Sequence, residues 1–156
     1  MVEKEKLIRL PLFERALTLA AMMHAGQEDK GGQPYVMHVI RVMMELKEPE
    51  LKVAALLHDL LEDTDLRAED LLAYGFSEET IKVVALLSRE PEEPYMDYIR
   101  RLSGDERAIK VKLSDLKDNQ NRTRLKGSLS QEDLKRMEKY HRAEEYLLRV
   151  LHDREG

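Results

Sequence analysis

The chain contains no cysteine. Disulfides and thiolate metal sites are thereby excluded, so any metal must be held by His, Asp, Glu or backbone oxygens. No apolar run approaches the roughly 20 residues of a membrane span, so no membrane partner is expected. There is no basic excess: 31 acidic residues face 26 basic ones, for a net charge of −5. That balance argues against a stable nucleic-acid complex, although a local basic patch could still hold a small anion. The opening "MVEKEKLIRLPL" lacks the apolar core of a signal peptide, so a cytoplasmic protein is expected. No stretch alternates long enough to make a strand. There is no internal repeat, no low-complexity segment and no linker long enough to separate domains.

What is present is helical. The 156 residues, 42% of them apolar, suffice for a single domain over 1–156 with a real core. Phe13, Ala16, Leu17, Ala20 and Met23 repeat at threes and fours, predicting an amphipathic helix from about Pro11 to His24. Glycines and a proline break it at "GQEDKGGQP". A second helix is predicted from Tyr35 to Lys47. A third runs from Pro49, suited to a first turn, to about Glu62. Asp65 is placed as the cap of a short helix ended by Gly75, and Ser77 as the cap of the next. After the connector "REPEEP", short helices follow from Tyr95 to Leu102 and over "ERAIKVKLSDLKDNQ". "TRLKGSLS" reads as a loop, and Ser130 with Asp133 as the capping box of a last helix reaching about His152. The fold class is therefore all-α, a bundle of seven or eight helices. The eight methionines read as core filler, and the long amphipathic helices suit a monomer or a dimer equally.

The segment "ALLHDLLEDTD" sets His58, Asp59, Glu62 and Asp63 against one of the most apolar runs of the chain. Buried charge is costly unless paired or bound to a cation. On a continuous helix Glu62 lies about 40° from His58 and about 60° from Asp59, so all three face one side. His58 and Asp59 offer one nitrogen and one oxygen to a divalent metal. Two ligands do not make a site. His38, in "PYVMHVI", and Asp115, in "IKVKLSDLKDN", are the candidates to complete it. Taken singly, His38 reads as a core histidine and Asp115 as a solvent-facing acid. Taken with His58 and Asp59, they form a two-His, two-Asp shell with room for water or substrate oxygens.

Three segments, "HAGQEDKGGQPYVMH", "ALLHDLLEDTD" and "VKLSDLKDN", resemble in order the motifs of the HD-superfamily hydrolase domain of RelA/SpoT-like enzymes. The usual forms there are HxGQxRKxGxPYxxHP, LLHDxxEDT and VKLADxxxN. The single-domain length is similar to the stand-alone hydrolases of that family, including the metazoan SpoT type, so no synthetase domain is expected. The resemblance implies that His38, His58, Asp59 and Asp115 bind one metal, usually Mn2+. It implies that Glu62 and Asp63 orient and activate the attacking water. It further implies substrate contacts at Lys30, Tyr35, Asn119 and, by a looser match, Tyr140. His24 matches a motif position that is not a ligand.

The implied activity is metal-dependent hydrolysis of a phosphorylated nucleotide, guanosine 3′,5′-bis(diphosphate) losing its 3′-pyrophosphate. A phosphatase acting on another nucleotide or on NADPH, and a non-catalytic nucleotide- or metal-binding sensor, are the alternatives. An acidic protein that binds a polyphosphate needs local base, for which Lys117, Arg122, Arg124 and Lys126, with Lys30 opposite, are candidates. The chain departs from the family pattern at Asp29, which stands where an arginine is usual before Lys30, and at Val39, which follows His38 in place of proline.

Overall fold

The most apolar stretch of the chain becomes its centre. Pro49–Leu57 is apolar on all sides after its first turn, and a helix of that kind must be enclosed. Ala55, Leu56 and Leu57 are fully buried there. The computed structural model describes residues 4–155. Ten helical segments succeed one another in them: α1 (Lys4–Ile8), α2 (Leu12–Met23), α3 (Tyr35–Met44), α4 (Pro49–Leu57), α5 (Leu60–Asp63), α6 (Ala68–Ala73), α7 (Glu78–Leu86), α8 (Tyr95–Leu102), α9 (Glu106–Arg124) and α10 (Gln131–Glu155). α4 packs against α2, α3, α7 and α9, and α10 lies along α9. One core joins these elements, from Leu7 of α1 to Leu147 of α10. Among the described residues there is no strand, only an isolated bridge between Glu28 and Pro34 that closes the α2–α3 loop.

The all-α expectation is borne out, and the helix ends show why these residues fold locally as they do. Ser77 accepts from Thr80 N at 3.1 Å. Ser130 and Asp133 exchange bonds of 3.0 and 3.1 Å as a capping box. Pro11, Pro34 and Pro94 stand immediately before α2, α3 and α8, where a missing N–H costs no helical bond.

Four details differ from the sequence expectation. α1 was not singled out, because five residues are too few to show a period. Asp65 does not cap α6: Arg67 is the capping position, and its N–H donates to the Asp70 carboxylate at 2.8 Å. α9 continues past Gln120 to Arg124, so Arg124 projects from a helix and not a loop. Of the methionines, Met43 is core but Met37 and Met44 are exposed.

The fifth difference matters most. The helix begun at Pro49 does not continue to Glu62. It stops at Leu57, and α5 starts after His58 and Asp59. The Ala55 carbonyl, which a regular helix would give to the Asp59 N–H, receives the His58 N–H at 3.3 Å and the His58 ring Nδ1–H at 2.6 Å. The turn tightens, and the pattern resumes with Asp63 N on Asp59 O.

Gly75 ends α6 at φ +88°, and a Cβ there would lie 2.6 Å from Arg15 Nη1. That guanidinium holds the α1–α2 and α6–α7 junctions together through Ile8, Leu10 and Tyr74 carbonyls. Gly75→Ala should therefore destabilise by about 1–2 kcal/mol, a fall of roughly 2–8 °C in Tm readable by circular dichroism, with His38, His58, Asp59 and Asp115 untouched.

Candidate metal centre

Three elements converge at the break after α4. His38 comes from the second turn of α3, His58 and Asp59 from the break itself, and Asp115 from the middle of α9. His38, His58 and Asp115 are buried and Asp59 is partly so. One donor atom from each of the four lies within 4.8 Å of all the others. Asp115 Oδ1 is 2.9 Å from His38 Nε2 and 3.3 Å from His58 Nε2. Asp59 Oδ2 is 3.2 Å from His58 Nε2 and 4.0 Å from His38 Nε2. An ion with bonds of about 2 Å in octahedral geometry spaces its ligands about 3 Å apart when adjacent and about 4 Å when opposite. The observed separations fall in that range.

The hydrogen bonds around the four residues support the same reading. Both Nδ1 atoms are committed as donors, His58 to the Ala55 carbonyl and His38 to Asp118 Oδ2 at 2.6 Å. In the neutral rings each Nε2 then carries a lone pair, and both lone pairs face carboxylate oxygens. Lone pairs so disposed need a cation or a proton between them. For the metal-free site the proton is favoured. Burial opposes the His58 imidazolium, but the Asp59 charge and then Asp115 outweigh it and raise its pKa to about 9. The His/Asp cluster can thus hold a divalent metal, and its nitrogen-oxygen donor set suits one.

Several residues that tune the site were not evident from sequence. Lys112, one turn before Asp115, is buried and donates from Nζ to Asp115 Oδ2 at 2.8 Å. Burial works against its ammonium, but Asp115 more than offsets this and holds its pKa well above the usual value. Oδ1 of Asp115 is left for the histidines. Asp118 accepts from His38 at Oδ2 and from Arg41 at both oxygens, Nε to Oδ1 at 2.7 Å and Nη2 to Oδ2 at 3.2 Å. The available signal was spacing alone: Lys112, Asp115 and Asp118 stand three apart on one helical face.

The remaining candidates are distributed around this centre. Tyr35 donates its hydroxyl to Asp59 Oδ2 at 2.5 Å, so it steadies one carboxylate of the cluster. Glu62 is exposed, with Oε1 accepting from Arg89 N at 2.7 Å. Asp63 is open to solvent on one side. Partial burial, then the Asp59 and Glu62 charges, still raise its carboxyl to about 6. Asn119 Oδ1 accepts from Arg122. Tyr140 lies where burial and then the Asp115 charge raise its hydroxyl. Lys30 is exposed on the α2–α3 loop.

The structure relocates the basic patch. Lys117 is engaged by Glu45, Lys126 by Asp133, and Arg122 by Asp29 and Asp118. A second group of cations surrounds Tyr95, with Lys112 among them held by Asp115. Lys139 Nζ lies 4.6 Å, the Arg89 guanidinium carbon 5.5 Å and Lys112 Nζ 5.9 Å from its ring centre. Burial, then Arg89, Arg136, Lys112 and Lys30, depress the Lys139 pKa. Asp29, the acid in the place of the usual arginine, is occupied within its own loop. Its Oδ1 accepts from Gly31 N at 2.9 Å and Gln33 N at 3.0 Å, and its Oδ2 lies 3.3 Å from Arg122 Nη1.

No protein-family model matches the chain. Curated proteins do. A guanosine-3′,5′-bis(diphosphate) 3′-pyrophosphohydrolase of Aquifex aeolicus is 36% identical over 119 residues, covering 69% of this chain and 17% of that protein. The bifunctional (p)ppGpp synthase/hydrolase SpoT of Escherichia coli is 31% identical over 139 residues, covering 80% of this chain and 19% of SpoT. The chain thus spans less than a fifth of the length of these relatives. Among solved structures, a metazoan ortholog of SpoT that hydrolyses ppGpp superimposes with a TM-score of 0.75, covering 93% of this chain and 96% of that one at 24% identity. With the three motifs gathered at one centre and a fold shared along nearly the whole chain, the protein belongs to the HD-type, RelA/SpoT-like family.

Proposed function

We propose that the chain is a metal-dependent phosphohydrolase acting on a phosphorylated nucleotide, with guanosine 3′,5′-bis(diphosphate) as substrate and release of its 3′-pyrophosphate as the reaction. The observation that carries this reading is the four-donor cluster with the Glu62–Asp63 pair directly beside it on α5. His38, His58, Asp59 and Asp115 would hold Mn2+, which supplies Lewis acidity toward phosphate oxygens and makes water more acidic.

The rest is the work of the side chains. Asp63 takes the proton of the attacking water: a carboxyl raised to about 6 is a better base than an ordinary one, yet is ionised at neutral pH. Glu62, fixed by the Arg89 N–H, orients that water. Tyr35 keeps Asp59 in place. Lys139, Arg89, Arg136 and Lys30 form a cationic rim that offsets the charge of a polyphosphate. Asn119 and Tyr140 contact the nucleoside side of the substrate. The sequence relatives whose names specify this hydrolase activity support the choice of substrate. The internal bonding of Asp29 removes an objection to it, because that acid does not stand free against the phosphates.

The test is product release from ppGpp, NADPH and common nucleotides with Mn2+ present. Pyrophosphate from ppGpp is expected, and tight binding of ppGpp without turnover would instead make the protein a sensor. Asp63→Asn should lower kcat by about 10²–10⁴-fold with KM little changed; a variant as fast as the parent would remove Asp63 from the chemistry.

The base works only when ionised. The acidic limb of kcat/KM should therefore climb through about pH 6, level off above it, and vanish in Asp63→Asn. Lys139→Ala should raise KM several-fold and leave the acidic limb in place, as steady-state kinetics across pH would show.

A further inference from the structure

The two histidines of the cluster are anchored differently. His58 gives its Nδ1–H to a neutral backbone carbonyl, whereas His38 gives its own to the carboxylate of Asp118 at 2.6 Å. We propose that Asp118 is a positioning residue of the metal centre, holding the His38 ring so that Nε2 points at the ion and setting the affinity of the site. The inference rests on the metal-dependent reading above.

The geometry is over-determined around Asp118. Its Oδ1 accepts from Arg41 Nε at 2.7 Å, and its Oδ2 faces Arg41 Nη2 at 3.2 Å and Arg122 Nε at 3.3 Å. Two guanidiniums on one carboxylate keep it an anion, and an anionic carboxylate can only accept. In the neutral ring the proton of His38 is therefore on Nδ1, which leaves the Nε2 lone pair for an ion beside Asp115 Oδ1, 2.9 Å away. A carboxylate behind an imidazole also makes it a stronger donor to a metal than a carbonyl does. Arg41 sits three residues after His38 on α3, so ring and carboxylate are gripped by the same two helices. Arg122 reaches onward to Asp29 Oδ2 at 3.3 Å, which ties the α2–α3 loop to this support. A plain ion pair between α3 and α9 would need only Arg41 and Asp118; the third contact, at 2.6 Å into a ligand ring, gives the carboxylate its role.

The experiment is titration calorimetry of metal-free protein with Mn2+. Asp118→Asn, which keeps the shape and removes the charge, should bind about 10–100-fold more weakly than the parent. Binding within about threefold of the parent overturns the inference and leaves the proposed function standing. No metal binding by the parent overturns both.

A second measurement needs no variant. Long-range 1H–15N NMR of the parent loaded with Zn2+ should show the His38 proton on Nδ1 and coordination through Nε2. Coordination through Nδ1, or loss of its proton, overturns the inference even if Asp118→Asn fails to fold.

Discussion

The hydrogen bond from the His58 ring to the Ala55 carbonyl both ends α4 and aims the site. A side chain takes an acceptor that the backbone would otherwise use, so the helix stops one turn short of where its apolar pattern runs out. The stop turns Asp59 toward α3 and α9 and starts α5, which carries Glu62 and Asp63. Because α4 is packed on four sides by other helices, the break cannot drift: the apolar residues before it fix its position to within the tolerance of a close-packed core. The chemistry is thus placed by the least chemical part of the sequence.

The second constraint is electrostatic. Asp115 is nearly inaccessible to solvent and would be costly there alone. It is accompanied by the Lys112 ammonium on one oxygen and two imidazoles on the other. Lys112 in turn rests against the faces of Tyr98 and Tyr95, and Tyr95 also carries Lys139 and Arg89. One continuous set of contacts runs from the ligand carboxylate outward to the cations of the rim. Charge that α9 buries at the centre is balanced by charge that α10 and the α7–α8 connector present at the mouth.

The donor residues were legible in the sequence because their spacing carries the chemistry: His58 and Asp59 are adjacent, and His38 and Asp115 each lie in an apolar helical setting that makes polarity conspicuous. The helix caps at Ser77 and Ser130 were legible because they are local. The break at His58 was not, since periodicity counts residues and cannot see which donor a carbonyl receives. Asp118 and Arg41 were not, because their partners lie about eighty residues away in the chain. The basic patch was misplaced for a related reason: Lys117, Arg122 and Lys126 look available until Glu45, Asp29 and Asp133 are seen beside them.

The ion pair between Asp29 and Arg122 makes the α2–α3 loop and the end of α9 a matched set. The loop depends on Asp29 twice, through the two backbone N–H groups it gathers and through the guanidinium it meets. An arginine introduced at position 29, in the manner of the related motif, would lose both backbone contacts and face Arg122 as a like charge. The loop is therefore not a module to be exchanged by itself: a swap at position 29 reaches position 122 on α9.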